Sequence, residues 1–383
     1  MRFEFSTANR IIYGAGSCHE IPSLVSTLGK HAFVVMDSRE RVAPLLDALE
    51  ASGLALNLFE VKKEPDINNV LVAIRIFKDT ACDLAIGIGG GSALDTAKAV
   101  AGLASNPGDP LRYLEVVGSS LPLEQPAYPC VAVPTTAGTG SEVTRNAVIS
   151  VPDKRIKVSL RSPFLLPRLA LVDPELTYSL PPGITSSTGL DALTQLIEPY
   201  VCTSPTPLTD ALCLDGMALV FRSLLRAYHN GQDASARADM SLASLFGGMS
   251  LANARLGAVH GLAAALGGFY SAPHGMLCAR FLPLVMETNV KALLTRQADS
   301  PALDRYRVVA QIVCQDDAAT IQDGIAIIHK LCLDLGIPGL INYGLSSADF
   351  PDLIRSAQAS SSMKGNPIRL TDKELGEILE RAI

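Results

Sequence analysis

Strand signals stop at Pro181-Pro182-Gly183, and this break constrains the possible folds more than any other feature of the sequence. Before it, short β-branched runs alternate with helical patterns. RIIYGAG reads as a strand entering a turn, HEIPSLVSTLG as a helix, HAFVVMD as a strand and RVAPLLDALEASG as a helix with its stop glycine. LALNLFEV, NNVLVAIRIFKDT and DLAIGI repeat the cycle, the last without polar alternation, as in parallel strands buried on both faces. Such βαβ repetition predicts a doubly wound, mostly parallel sheet that binds ligands beyond the carboxyl ends of its strands. After the break, segments such as DALCLDGMALVFRSLLRAYHN, DGIAIIHKLCLDLG and DKELGEILERAI carry the 3.6-residue apolar period of packed helices. The expectation is an α/β domain over residues 1–180 and an all-α domain over residues 181–383. Length agrees, because 383 residues exceed the size at which a single core stops growing.

Composition excludes several classes. A net charge of -6 with no clustered Lys/Arg run argues against a nucleic acid or an anionic membrane as partner. No segment approaches the roughly 18 uninterrupted apolar residues of a membrane span, and the N-terminus lacks signal-peptide architecture. The eight cysteines are scattered without a CxxC pair, which predicts buried thiols in a reducing cytoplasm and neither disulfides nor a cysteine metal site.

Within the first domain, GIGGGSALDTAK (87–98) places a glycine-rich turn between a buried strand and a helix. Exposed backbone N–H groups and the helix dipole there suit a pyrophosphate, with a mere tight turn as the alternative. The G-x-G-x-x-G fingerprint would need glycine at Ser92 and an earlier strand, so this is not the usual dinucleotide signature. Asp95, three residues after a Ser92 N-cap, reads either as part of this cofactor-binding set or as a capping acid. Asp37 ends the strand HAFVVMD, where a carboxylate accepts from the ribose 2′-hydroxyl of NAD and repels the 2′-phosphate of NADP; a loop-capping role is the alternative. TTAGTGSEVT (135–144) is a loop of hydroxyls and glycines, with Thr135, Thr136 and Thr139 as donors to a cofactor. Lys157, in IKVSL, reads as a cofactor contact or as a solvated strand lysine.

In the second domain, Asp191 and Gln195 stand at i and i+4 of GLDALTQLIE, so their side chains leave one helix face a turn apart. His260 in AVHG and His274 in APHG are each followed by a glycine, which lets the backbone come close to a bound group. A carboxylate and two imidazoles suit a divalent transition metal, with Gln195, water or substrate in the remaining position. The alternative is a helix-terminal aspartate with two core histidines. Pro199 leaves the carbonyl of Gln195 without its helical partner, so the helix is expected to kink or end near the site.

GGGSALDTAK, PTTAGTGSE, DPEL, GLDALTQLIE and HGLAAALGGFYSAPHG, with the late NPIRLT, resemble the iron-containing (group III) alcohol dehydrogenase family along the whole chain. The resemblance implies an NAD(P)-binding α/β domain and a helical metal-binding domain of dehydroquinate-synthase-like architecture. It places Asp37, Gly90, Gly91, Ser92, Thr135, Thr136, Thr139 and Lys157 around the dinucleotide, and Asp191, Gln195, His260 and His274 at the metal positions. Two residues depart from the pattern. Gln195 stands where most members have histidine, and Ala264 where many have another, one turn beyond His260. An amide oxygen is a poorer donor than imidazole, so weaker metal binding follows.

The implied reaction is hydride transfer between NAD(H), with NADP less favoured, and a primary alcohol or aldehyde polarised by Fe²⁺ or Zn²⁺. A cytoplasmic homo-oligomer acting on a small molecule is the corresponding expectation. Competing readings are a dehydroquinate-synthase-like lyase, a maleylacetate-reductase-like enzyme, and an NAD-binding protein with an impaired metal site.

Overall fold

The computed structural model describes residues 2–62, 64–154 and 156–383. The chain divides into two compact units, Ser6–Ser179 and Leu180–Ile383, with the segment ending at Phe5 grouped with the second.

The first unit runs β1 (Ile11–Tyr13), α1 (Ile21–Val25), β2 (His31–Met36), α2 (Arg39–Ala51), β3 (Ala55–Glu60), α3 (Ile67–Asp79), β4 (Leu84–Gly89), α4 (Gly91–Ala104), β5 (Cys130–Pro134), β6 (Asn146–Val151), β7 (Ile156–Arg161) and β8 (Leu169–Val172). Six strands form one sheet in the order β1-β8-β5-β4-β2-β3, with every pair parallel. Alternate side chains of β2 serve two cores. Phe33 and Val35 pack with residues of α3 and α4, whereas Ala32, Val34 and Met36 pack with residues of α1 and α2. This double burial is why the central strands lack polar alternation. The remaining strands, β6 and β7, pair antiparallel as a separate hairpin.

The sheet order turns back on itself between β2 and β4, so the carboxyl ends of these strands flank the switch point at which doubly wound sheets take their ligands. Lys98 fixes the neighbouring loop. Its side chain is fully buried, pairs with Asp95 at 3.1 Å and donates to the Ser141 and Asn146 carbonyls at 2.9 and 2.5 Å. A buried ammonium is tolerated only when so paired, and the arrangement ties the segment after β5 to α4.

The second unit contains α5 (Pro182–Val201), α6 (Pro207–His229), α7 (Ala234–Asn253), α8 (Ala258–Phe269), α9 (His274–Arg296), α10 (Pro301–Cys314), α11 (Ile321–Asp334), α12 (Phe350–Ala359) and α13 (Asp372–Ala382). α5 is its axle, packed against α6, α7 and α9. Sixteen of its residues are buried, which is why its sequence is apolar or small nearly all round. The buried guanidinium of Arg237 on α7 donates to Thr185 Oγ1 at 2.9 Å and to the Leu180 carbonyl at 3.2 Å, anchoring the first turn of α5. α5 continues through Pro199 to Val201, so the expected ending at the site does not occur. Packing on several sides outweighs one lost backbone hydrogen bond.

Glu142, beside the residues that Lys98 holds, is 2% exposed. Burial lifts its carboxyl to about 7, against a backbone hydrogen bond and the Lys98 charge, which pull it down. The native state therefore holds a proton that the unfolded chain has released, and stability falls as pH rises from the ordinary glutamate value to about 7. The full cost above that window is on the order of 3 kcal/mol. Glu142→Gln is expected to stabilise the protein at pH 8 more than at pH 5, as read from urea midpoints at the two pH values. An equal gain at both would refute this origin.

Candidate metal centre and dinucleotide site

The metal cluster is built on three helices. α5 supplies Asp191, the third residue of α8 is His260, and His274 opens α9. His260 Nε2 lies 3.5 Å from Asp191 Oδ1, and His274 Nε2 lies 3.9 Å from the same oxygen. The two imidazole centroids are 5.5 Å apart. Asp191 Oδ1 is buried and has no hydrogen-bond partner, a costly arrangement for a carboxylate unless a cation sits among these atoms. A fourth group joins them. Cys278, one turn along α9 from His274, brings its Sγ to 3.5 Å from His274 Nε2, and the four ligand atoms of Asp191, His260, His274 and Cys278 lie within 4.8 Å of one another.

The scattered cysteines predict no cysteine metal site, yet Cys278 lies among these candidate groups. The scattered-cysteine argument looked for CxxC pairs, whereas the informative spacing is His274 to Cys278, i to i+4 on one helix face. Gln195 is buried, and its Oε1 has no hydrogen-bond partner. That oxygen lies beside α7, 3.4 Å from where a Cβ on Gly247 would stand.

The residue that orients His260 is Glu198, two turns beyond Asp191 on α5. Its Oε2 lies 2.7 Å from His260 Nδ1, and its Oε1 accepts from the Val259 N–H at 2.7 Å. A neutral His260 that keeps its proton on Nδ1 toward Glu198 would present its Nε2 lone pair to a cation beside Asp191. Asn366, from NPIRLT, accepts from the Ala258 N–H at 3.1 Å and exchanges hydrogen bonds with Asn289, pinning the start of α8. Neither Glu198 nor Asn366 stands out in a sequence reading, because both contacts span more than sixty residues of chain. The glycines after the histidines serve packing. A Cβ on Gly275 would stand 2.3 Å from the Ser187 carbonyl oxygen, so this glycine lets α9 come close to α5.

Electrostatics follow the geometry. Burial alone would raise the carboxyl of Asp191, but the His260 contact and the charges of His274 and His260 outweigh it and hold the group below its ordinary range. Burial alone would lower His260 and His274, yet Cys278 and Asp191 outweigh it and raise both, with Glu198 adding to the effect on His260. The cluster attracts positive charge, which a divalent cation satisfies in place of protons.

In the first unit, the carboxyl ends of β2, β4 and β5 bring most of the expected dinucleotide residues together. Asp37 Oδ2 accepts from the Gly90 N–H at 3.2 Å, and the Thr135 N–H donates to the Gly89 carbonyl at 2.9 Å. A Cβ on Gly90 would stand in ordinary contact with the Thr136 methyl at 3.4 Å, whereas one on Gly91 would be 2.8 Å from that of Thr139, so the tight packing is at Gly91. Gly90 is the N-cap of α4 and has no side chain to offer, which leaves the first-turn N–H groups for an anion. Ser92 therefore lies inside the first turn and is not the cap that its spacing suggested.

Asp95 is no capping acid either. It accepts from Ser141 Oγ and from the Val148 N–H and pairs with Lys98, so both oxygens are engaged by the protein. Lys157 is placed on the hairpin, ion-paired at 2.5 Å with Glu64. An unforeseen residue is Arg41, whose guanidinium pairs with Asp37 and donates to Thr135 Oγ1 at 2.9 Å.

The comparisons with known proteins now apply. The family model described as "Iron-containing alcohol dehydrogenase" matches residues 8–174, and "Fe-containing alcohol dehydrogenase family, C-terminal" matches residues 185–383. The chain belongs to the iron-containing alcohol dehydrogenase family. Alcohol dehydrogenase 4 of Saccharomyces cerevisiae is 35% identical, over 97% of this chain and 96% of the yeast protein. 1,3-Propanediol dehydrogenase of Klebsiella pneumoniae is 33% identical, over 99% of this chain and 98% of that protein. Among solved structures, a 1,3-propanediol oxidoreductase superposes with a TM-score of 0.92 at 31% identity, and the alcohol dehydrogenase of Oenococcus oeni with 0.90 at 32%, each over the full length of both chains. As an iron-containing alcohol dehydrogenase by descent, the protein is an alcohol oxidoreductase. No described helix is long and apolar enough to cross a membrane.

In this alcohol dehydrogenase, Glu198→Gln keeps the volume but removes the charge behind His260. Metal affinity is expected to fall about 10- to 100-fold, measured by competition with a chromophoric chelator. Unchanged affinity would mean that Glu198 serves only the backbone at Val259.

Proposed function

We propose that the protein is an NAD(H)-dependent oxidoreductase that interconverts a primary alcohol and its aldehyde at a divalent metal held by Asp191, His260 and His274. The observation that carries this reading is the buried, unpartnered Asp191 Oδ1 facing two imidazole nitrogens, a donor set suited to a cation and to little else. The dinucleotide part rests on the cluster of Asp37, Gly90, Gly91, Thr135, Thr136 and Thr139 at the strand ends. When bound, the metal supplies Lewis acidity toward the substrate oxygen, and the nicotinamide accepts or donates the hydride.

The chain's own residues provide the rest. Asp191 stays ionised and offsets part of the cation's charge, while Glu198 keeps the His260 ring in one orientation. Asp37 offers an acceptor, its buried and unpartnered Oδ1, to a ribose hydroxyl. Ala264, one turn beyond His260, brings no proton-transfer group, so the alcohol proton leaves through the cofactor ribose or water. The alanine also makes its surroundings less polar, which suits an uncharged substrate.

Turnover of short aldehydes with NADH, before and after chelation, tests the reading. Removing the metal is expected to lower kcat/KM about 100-fold or more, with recovery on adding Fe²⁺ or Zn²⁺. Undiminished turnover in the metal-free protein would overturn it.

Cofactor choice provides a second test. Arg41 offsets the negative charge of Asp37, which softens the repulsion of a 2′-phosphate. Arg41→Ala is expected to widen the preference for NADH over NADPH by about 10-fold in kcat/KM, or roughly 1.4 kcal/mol. A narrower preference would show that the guanidinium does not act through Asp37.

A further inference from the structure

The metal reading leaves open which protein atom completes the ligand set. Two atoms are available, each one helical turn from an established candidate: Gln195 Oε1 beyond Asp191 on α5, and Cys278 Sγ beyond His274 on α9. We propose that Cys278 Sγ, and not Gln195 Oε1, is the fourth protein ligand, so that the centre is an Asp/His/His/Cys site suited to zinc, which the substrate oxygen would join as a fifth ligand.

Geometry is the first support. Cys278 is fully buried, and its sulfur belongs to the set of four ligand atoms lying within 4.8 Å of one another. A tetrahedral ion with bonds of about 2.0–2.3 Å sets its ligand atoms about 3.3–3.8 Å apart. His260 Nε2 to Asp191 Oδ1 at 3.5 Å and Cys278 Sγ to His274 Nε2 at 3.5 Å already meet that spacing, and His274 Nε2 to Asp191 Oδ1 at 3.9 Å nearly does. The remaining pairs, at up to 4.8 Å, would close by up to about 1 Å around an ion. Gln195 Oε1 is 3.4 Å from where a Cβ on Gly247 of α7 would stand.

Charge and softness are the second support. A thiolate and the Asp191 carboxylate together neutralise a divalent ion in a buried site, where a neutral amide would leave a charge uncompensated. Ligation replaces the S–H bond with a metal–sulfur bond and releases the proton to water. A soft sulfur beside two imidazoles shifts the preference toward zinc, where the amide would have left a harder oxygen-rich set. The loss of a nitrogen donor at position 195 is thus offset from a different helix. On this assignment Gln195 Oε1, buried and without a hydrogen-bond partner, is not a ligand.

This inference rests on the presence of a metal at Asp191, His260 and His274, and its test separates the two ideas. The full-length protein is stripped with a chelator, reloaded with Co²⁺ at one ion per chain, and scanned for the near-ultraviolet sulfur-to-cobalt charge-transfer band. The wild type and Gln195→Ala are expected to show the band, and Cys278→Ser to lack it. Zinc affinity by chelator competition is expected to fall about 100-fold in Cys278→Ser and by less than about 5-fold in Gln195→Ala.

Zinc-edge X-ray absorption on the wild type provides a readout that depends on no variant's folding, with a sulfur shell expected at about 2.3 Å. A bound metal without a sulfur shell, or a greater loss of affinity from Gln195→Ala than from Cys278→Ser, overturns the assignment while leaving the alcohol dehydrogenase reading intact. A sulfur shell in a protein that turns over no aldehyde does the reverse. Failure to bind zinc or cobalt at all overturns both.

Discussion

The imidazole of His260 is gripped from both sides by one helix. Asp191 and Glu198 stand seven residues apart on α5, two turns along one face, and the ring fits between them, with Nε2 toward the first carboxylate and Nδ1 toward the second. The geometry of the centre therefore derives from the rise of a single helix, and α8 and α9 need only be brought up to it. The burial of α5, the Arg237 clamp at its first turn and the Asn366 contact at the start of α8 all maintain that one relation. Because a buried carboxylate oxygen without a hydrogen-bond partner is so unfavourable, the same packing favours positive charge beside Asp191 Oδ1.

The first unit solves its binding problem by topology. Three loops far apart in sequence meet because β2, β4 and β5 are adjacent and parallel, and parallel strands end their loops at one edge. The central strands and the glycine turn were legible in the sequence because both depend on local rules. A strand buried on both faces reads as an apolar run, and a strand-to-helix turn without side chains reads as glycines. The alternation of IKVSL suggested β7, but β6 and β8 were not read as strands; β8 lies between β5 and β1, whose residues are distant in the chain. Asp95 shows the same limit. Its spacing from Ser92 imitates a capping acid, while its actual partners, Ser141 and Val148, lie beyond an intervening strand and loop.

Within the metal centre, Asp191, His260 and His274 were legible because their chemistry is rare in this chain and their spacing is orderly. Glu198 and Cys278 were hidden for different reasons. A glutamate on a helix is ordinarily a solvated charge, and only the fold reveals that this one is buried behind an imidazole. A lone cysteine on an apolar helix is ordinarily a small hydrophobe, and only the approach of α9 to α5 turns it toward a carboxylate. Pro199 misled in the opposite direction, since a residue that breaks an exposed helix is carried by one that is packed on several sides.

Gly275 sets the clearance between α9 and α5, with its missing side chain facing the Ser187 carbonyl. Both His274 and Cys278 are carried on α9 within a turn of that contact. A single added methyl there would lift the two groups from the carboxylate as one rigid body. The glycine thus acts as a machining tolerance for the approach of these two side chains to Asp191.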